Sequence, residues 1–139
     1  MIVLDTNVVS EPMKLSANTA VAAWLDRQVA ENLYLTATSL AELLVGIEAL
    51  PSGRRKSGMS VKLEKLLAGL FGARILPFDQ TAAAMYASLV GRARTMGRLI
   101  TVPDGQIAAI AAVHGYMVAT RDTAPFVAAG VKVINPWQE

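Results

Sequence analysis

Short apolar runs rich in β-branched residues alternate along this chain with longer stretches whose apolar positions recur at helical spacing. The runs lie at 2–4, 33–36, 74–77, 116–120 and 131–134, and each reads as a short buried strand. Between them stand helical patterns over 19–31, 39–50, 60–71, 81–96 and 104–115, with a short helix over 124–129. In the first, Val21, Trp24, Leu25 and Val29 fall at i, i+3, i+4 and i+8, the spacing that gathers one helix face. Gly97 and Gly115 stand where two of the patterns stop, as helix-ending glycines do. Strands separated by helices require crossover connections. The expected fold is therefore α/β, a three-layer α/β/α domain around a mostly parallel sheet. No repeat, low-complexity tract or linker divides the 139 residues, which read as one domain over 1–139.

That architecture gives four acids an address. Ligands of open parallel sheets bind beyond the carboxyl ends of the strands, near the point where strand order reverses. Asp5 ends the first strand, Asp122 follows the fourth, Asp104 opens the helix feeding the fourth, and Glu42 lies early in the helix after the second. Each has an ordinary structural reading as well. Asp5 can cap a helix starting near Thr6, and Ser39-Leu40-Ala41-Glu42 has the form of a capping box. Asp104 can be a helix N-cap, and Asp122 can make an Asx-turn. Taken together, four of only 11 acids sit at strand ends or helix starts among small and apolar neighbours. There an unpaired carboxylate is costly. Clustered carboxylates repel one another, and a hard divalent cation such as Mg²⁺ or Mn²⁺ relieves that repulsion and prefers oxygen ligands. Such a site with basic flanks points to phosphodiester hydrolysis.

Composition narrows the alternatives. The hydrophobic share, 53%, leaves room for an apolar interface, and the chain has no Cys, hence no disulfide, thiolate zinc site or Cys nucleophile. Nothing between Asp104 and Arg121, the longest uncharged interval, is long enough to span a membrane, and MIVLD lacks the basic start of a signal peptide. A cytoplasmic protein without membrane contact is expected. His114 is the only histidine, which excludes a two-histidine nuclease; it reads as structural, near a helix end. No G-x-S-x-G elbow, Walker A loop or G-x-G-x-x-G loop occurs. A haloacid-dehalogenase-type phosphatase also places Asp after its first strand, but it needs D-x-D, and here the second position is Asn7. A catalytically silent binding module is the third reading. The net charge is only +2, but Arg54, Arg55 and Lys56 gather in a Pro/Gly/Ser-flanked loop and Arg92, Arg94 and Arg98 form a second cluster. These are solvated faces or phosphate contacts.

MIVLDTNVVSE, TSLAELLVGIEAL, DGQIAAIAAVHG and VATRDTAPF, in that order, resemble the PIN-domain ribonucleases, specifically VapC-type toxins of toxin–antitoxin pairs. The FitB-like subgroup is the nearest, through Ile75–Asp79 (ILPFD) and Asn135–Trp137 (NPW). The resemblance covers essentially the whole chain. It implies a Mg²⁺- or Mn²⁺-dependent endoribonuclease with Asp5, Glu42, Asp104 and Asp122 as the acidic quartet. Asp5 and Asp104 would be the main ligands, with Asn7 and Thr120 as supporting polar partners. Many VapC toxins carry T-x-N-x-x-D-F in the last motif; here Pro125 stands at the acid's position and Asp122 at the Asn position, a shift the FitB-like subgroup shares. The family further implies a cognate antitoxin, a homodimer, an RNA substrate, and promoter DNA contacted only through the antitoxin.

Overall fold

Every apolar run becomes a strand in the computed structural model, which describes residues 1–139. The strands are β1 (Ile2–Leu4), β2 (Leu33–Thr36), β3 (Ile75–Leu76), β4 (Met117–Ala119) and β5 (Val133–Ile134). They form one sheet in the order β3-β2-β1-β4-β5, and all four pairings are parallel. Strand order therefore reverses between β1 and β4, where Val3 pairs with Val118 and Leu4 with Ala119.

Seven helices cover the sheet: α1 (Thr6–Ser10), α2 (Thr19–Asp26), α3 (Ala37–Glu48), α4 (Arg54–Leu66), α5 (Gln80–Thr95), α6 (Val102–His114) and α7 (Ala124–Ala128). Successive strand residues point to opposite faces, so each strand feeds two cores. Leu4, Leu33, Leu35 and Ala119 pack with Val8, Val9, Trp24, Leu43, Ile47, Leu63 and Phe71 on one side. Val3 and Val118 pack with Leu89, Ile107, Ala108, Ala111 and Phe126 on the other. The arrangement is the expected three-layer α/β/α. α6 is apolar nearly all round because Ile107, Ala108, Ala109, Ile110 and Ala111 are all fully buried. No helix is long and apolar enough to cross a membrane.

Among the boundaries that differ from the sequence reading, three have a visible cause. α2 stops at Asp26, because the segment after it turns through a 3₁₀ stretch (Ala30–Asn32) into β2 instead of continuing the helix. α3 starts at Ala37: Thr36 caps it by accepting the Ser39 N–H at 3.0 Å. Arg54, Arg55 and Lys56, read as a loop, form the first turn of α4, which then widens to a π-helical turn over Leu67–Phe71. Here tertiary packing of Leu63 and Phe71 into the core extends a helix that local sequence supports weakly. Gly115 ends α6 in the left-handed conformation (φ 69°), which its lack of a Cβ permits.

Candidate active site

The four acids meet at the carboxyl edge of the sheet, where strand order reverses. Asp5 is extended by the last ladder bond of β1, its N–H donating to the Ala119 carbonyl at 2.9 Å. Its own carbonyl accepts the Val8 N–H at 3.0 Å and so opens α1. The carboxylate is then free for two further roles. Oδ1 accepts the Thr6 N–H at 2.8 Å, and Oδ2 accepts the Thr120 hydroxyl at 2.7 Å. Capping and an inward-facing carboxylate thus coexist at Asp5, which is only 5% exposed. Burial pushes its pKa up to about 6; the bonds from Thr120 and Thr6 oppose the rise, and the charges of Asp104 and Glu42 add to it.

Glu42 does not close a capping box. Ser39's N–H is taken by Thr36, and Glu42 Oε1 instead accepts the Thr6 hydroxyl at 2.7 Å. Asp104 is not the N-cap of α6 either. Thr101 holds that place and accepts the Asp104 N–H at 3.3 Å, which leaves the Asp104 carboxylate in the first turn, half-buried. Burial raises the Asp104 pKa, the Thr101 bond lowers it, and the charges of Asp122 and Glu42 raise it again. At Asp122 the turn is made by its neighbour: Thr120 Oγ1 accepts the Asp122 N–H at 3.0 Å. The Asp122 side chain itself is exposed and makes no hydrogen bond. Of the structural readings open at these acids, only the cap at Asp5 is realised.

Asn7 and Thr120 join the ends of β1 and β4. Asn7 Oδ1 accepts the Arg121 N–H at 3.2 Å, while its Nδ2 lies 3.5 Å from both Asp5 Oδ2 and Thr120 Oγ1. Thr120 is fully buried, so its hydroxyl has no solvent alternative to these partners.

The electrostatic picture is one of uncompensated negative charge. The fields of Glu42, Asp104 and Asp122 reach one another or Asp5, and the ion pairs of the chain lie elsewhere, at Lys14–Glu11 (2.8 Å) and Lys56–Glu48 (3.6 Å). The donors are all hard oxygens, the kind that suits Mg²⁺ or Mn²⁺. In their present rotamers no three of them converge closely enough to hold a single ion.

The basic residues are not among the acids. Arg54 and Arg55 line a groove with Lys14 and Lys62, whereas Lys56 reaches back to the Glu48 carbonyl at 3.1 Å. Arg92 borders a separate hollow beside Val127–Gly130, and Arg94 and Arg98 are exposed on the α5 side. His114, the last residue of α6, stacks on Tyr116 with ring centroids 5.3 Å apart.

Several site neighbours escape a reading by residue type. Thr6 holds Glu42, and Thr38 donates to Gln106 Oε1 at 2.9 Å, linking the first turns of α3 and α6. Arg121 lies over the Trp137 ring, 5.3 Å from its centroid. The only available signals were position: Thr6 lies between Asp5 and Asn7, and Thr38 is one helical turn before Glu42. The ILPFD and NPW stretches have local duties: Asp79 caps α5 by accepting the Ala82 N–H at 2.9 Å, and Asn135 accepts the Trp137 N–H at 2.9 Å.

Comparison with known proteins agrees with this geometry. The PIN domain family model matches residues 2–131. The chain is 50% identical over 138 residues to VapC ribonuclease Y4jK of Sinorhizobium fredii, covering 99% of each chain. It is 48% identical over 139 residues to toxin FitB of Neisseria gonorrhoeae, covering 100% of both. The crystal structure of FitAcB from Neisseria gonorrhoeae superposes with a TM-score of 0.95 at 47% identity, over 100% of both chains. The acids at the strand-order reversal, the parallel five-stranded sheet and these full-length similarities together make the chain a member of the PIN-domain family, of the VapC and FitB toxin kind.

Proposed function

We propose that this protein is the toxin of a toxin–antitoxin pair and acts in the cytoplasm as an endoribonuclease dependent on Mg²⁺ or Mn²⁺. The observation that carries the reading is the assembly of Asp5, Glu42, Asp104 and Asp122 at one sheet edge with no cation from the chain to balance them. Carboxylates held near one another repel, and a divalent ion bound among them would offset that repulsion. Asp5 and Asp104, the acids whose proton affinity is raised, would be the main ligands, with Glu42 and Asp122 completing the shell directly or through water.

When bound, the ion would activate water and neutralise charge developing on the phosphate. The chain's own side chains do the rest. Thr120 and Thr6 N–H fix the Asp5 carboxylate in one orientation, and the Thr6 hydroxyl does the same for Glu42. Asn7 keeps the Arg121 backbone, and hence Asp122, at the end of β1. Water adds to phosphorus, one sugar oxygen leaves, and basic side chains among Arg54, Arg55, Lys56, Arg92, Arg94 and Arg98 hold flanking phosphates.

A cognate antitoxin, a toxin homodimer and promoter DNA contact through the antitoxin accompany this reading, which the similarity to VapC and FitB proteins supports. The phosphatase alternative loses ground because Asn7 stands where a proton-donating acid is needed and its amide oxygen already accepts the Arg121 N–H. The test is RNA cleavage by the antitoxin-free protein with Mg²⁺ or Mn²⁺ and with EDTA. Cleavage abolished by EDTA and restored by added metal is expected; cleavage indifferent to EDTA would refute the metal-dependent reading.

A further inference from the structure

A groove separate from the acids runs between the segment after α1 and the exposed side of α4. It has a volume of about 730 Å³ and is lined by Met13, Lys14, Leu15, Arg54, Arg55, Gly58, Met59 and Lys62, with Ser16 at its rim. The α4 contributors recur at i, i+1, i+4, i+5 and i+8, so they share one helix face. Lys14 is neutralised by Glu11 at 2.8 Å, and Lys62 donates to the Met13 carbonyl at 3.4 Å, which ties the two walls together. Arg54, Arg55 and Lys62 have no acidic partner. Three like charges converging on one concavity repel unless a polyanion lies between them.

Gly58 lines the groove, and a Cβ added there would meet nothing within 4 Å, so a longer side chain at this position has open space to occupy. Continuity with the acidic edge comes through Glu11, whose pKa is lowered first by Lys14 and, more weakly, by Arg121, placing both cations around one carboxylate. Arg121 in turn adjoins Asp122 and lies over Trp137. Glu11 therefore stands between Lys14 on the groove wall and Arg121 beside the acids.

We infer that this groove is the seat of the single-stranded RNA segment flanking the scissile bond, its phosphates held by Arg54, Arg55 and Lys62 and its bases lying against Met13, Leu15 and Met59. The inference rests on the ribonuclease reading and deepens it. Lys56, bridged to Glu48, does not line this groove.

The experiment uses the full chain carrying Asp104→Ala, so that bound RNA survives, and measures anisotropy of a labelled single-stranded RNA oligonucleotide across a salt series. Replacing Arg54, Arg55 and Lys62 together by Ala is expected to weaken binding by tenfold or more. The slope of log K against log salt should become shallower by about 2, because each lost phosphate contact removes ~0.7. Gly58→Gln, which adds no charge and favours the helix, should weaken binding with the protein fully folded. Unchanged RNA affinity and salt slope in both variants would overturn the proposal. Absence of any RNA cleavage by the wild-type chain would instead strike the ribonuclease reading, because RNA affinity is read separately.

Discussion

Thr120 gives its hydroxyl proton to Asp5 Oδ2 across 2.7 Å, with the hydroxyl fully buried and the carboxylate nearly so. That bond crosses the strand-order reversal and fixes the carboxylate whose proton affinity the charges of Asp104 and Glu42 raise. Thr120→Val keeps the β-branched shape and removes the donor. A hydrogen bond to a charged group contributes about 1.5–3 kcal/mol, so stability at neutral pH should fall by that amount. The Asp5 pKa should also rise beyond its value of about 6, since the Thr120 bond now lowers it. Urea unfolding with an NMR titration of Asp5 checks both, and an unchanged midpoint and titration would remove Thr120 from the account.

The pH dependence of the metal-free protein follows from the same carboxylate. Asp5 has a folded pKa of about 6 against 3.8 as its ordinary value, so the folded state binds more protons between those limits. Stability then falls as pH rises from about 4 to about 6, by on the order of 3 kcal/mol at ~1.4 kcal/mol per unit, and levels off above. The raised Asp104 pKa adds in the same direction, while Glu11, with a lowered pKa, contributes stability that is lost as the medium becomes more acidic. Asp5→Asn should flatten the decline and raise Tm at pH 7–8 without metal. Melting curves across pH decide it; a wild-type Tm that climbs from pH 4 to 6 and is unaffected by the substitution would contradict the assignment.

Thr6 and Glu42 give a contrasting case, because their 2.7 Å bond is exposed. Thr6→Val should cost under about 1 kcal/mol in stability yet reduce RNA cleavage several-fold by releasing the Glu42 carboxylate. Parallel measurement of Tm and kcat separates the effects. A fall in Tm with cleavage intact would make the bond merely structural.

The parallel sheet and the address of the acids were legible because buried β-branched runs and helical spacing survive as one-dimensional patterns. What the acids do locally was not legible. Ser39-x-x-Glu42 has capping-box form, but Thr36 lies close enough to take the Ser39 N–H first, and that choice turns Glu42 toward Thr6. Asp104 follows Pro103 as an N-cap might, yet Thr101 caps and Asp104 is left in the first turn. Arg54 to Lys56 read as a loop because their helix is secured by Leu63 and Phe71 from the core, which adjacent residues do not encode. The Arg121–Trp137 contact joins residues that only the sheet edge brings together.

Gly105 tests how tightly α5 and α6 hold the Asp104 turn. A Cβ there would sit 2.7 Å from Tyr86 Cε2 and 3.0 Å from Val90 Cγ2, inside normal contact. Gly105→Ala should therefore destabilise by ~1–3 kcal/mol despite the better helix propensity of Ala. It should also lower cleavage by displacing the neighbouring acid. Adding Tyr86→Leu, which withdraws the ring edge, should recover part of both losses; no recovery in either would place the defect elsewhere.

The central claim is that the acids act as one metal centre, and its most direct test is thermal stability under Mn²⁺ titration for the antitoxin-free wild type and for Asp104→Asn, with RNA cleavage measured on the same samples. A ligand that binds only the folded state raises stability by RT ln(1 + [L]/Kd). The account predicts a concentration-dependent rise in wild-type Tm that parallels the onset of cleavage, and a loss of both in Asp104→Asn, with cleavage down by roughly a hundredfold or more because a bound ion supplies several kcal/mol of charge stabilisation. Equal Tm responses in the two proteins, or full cleavage by Asp104→Asn, would contradict it.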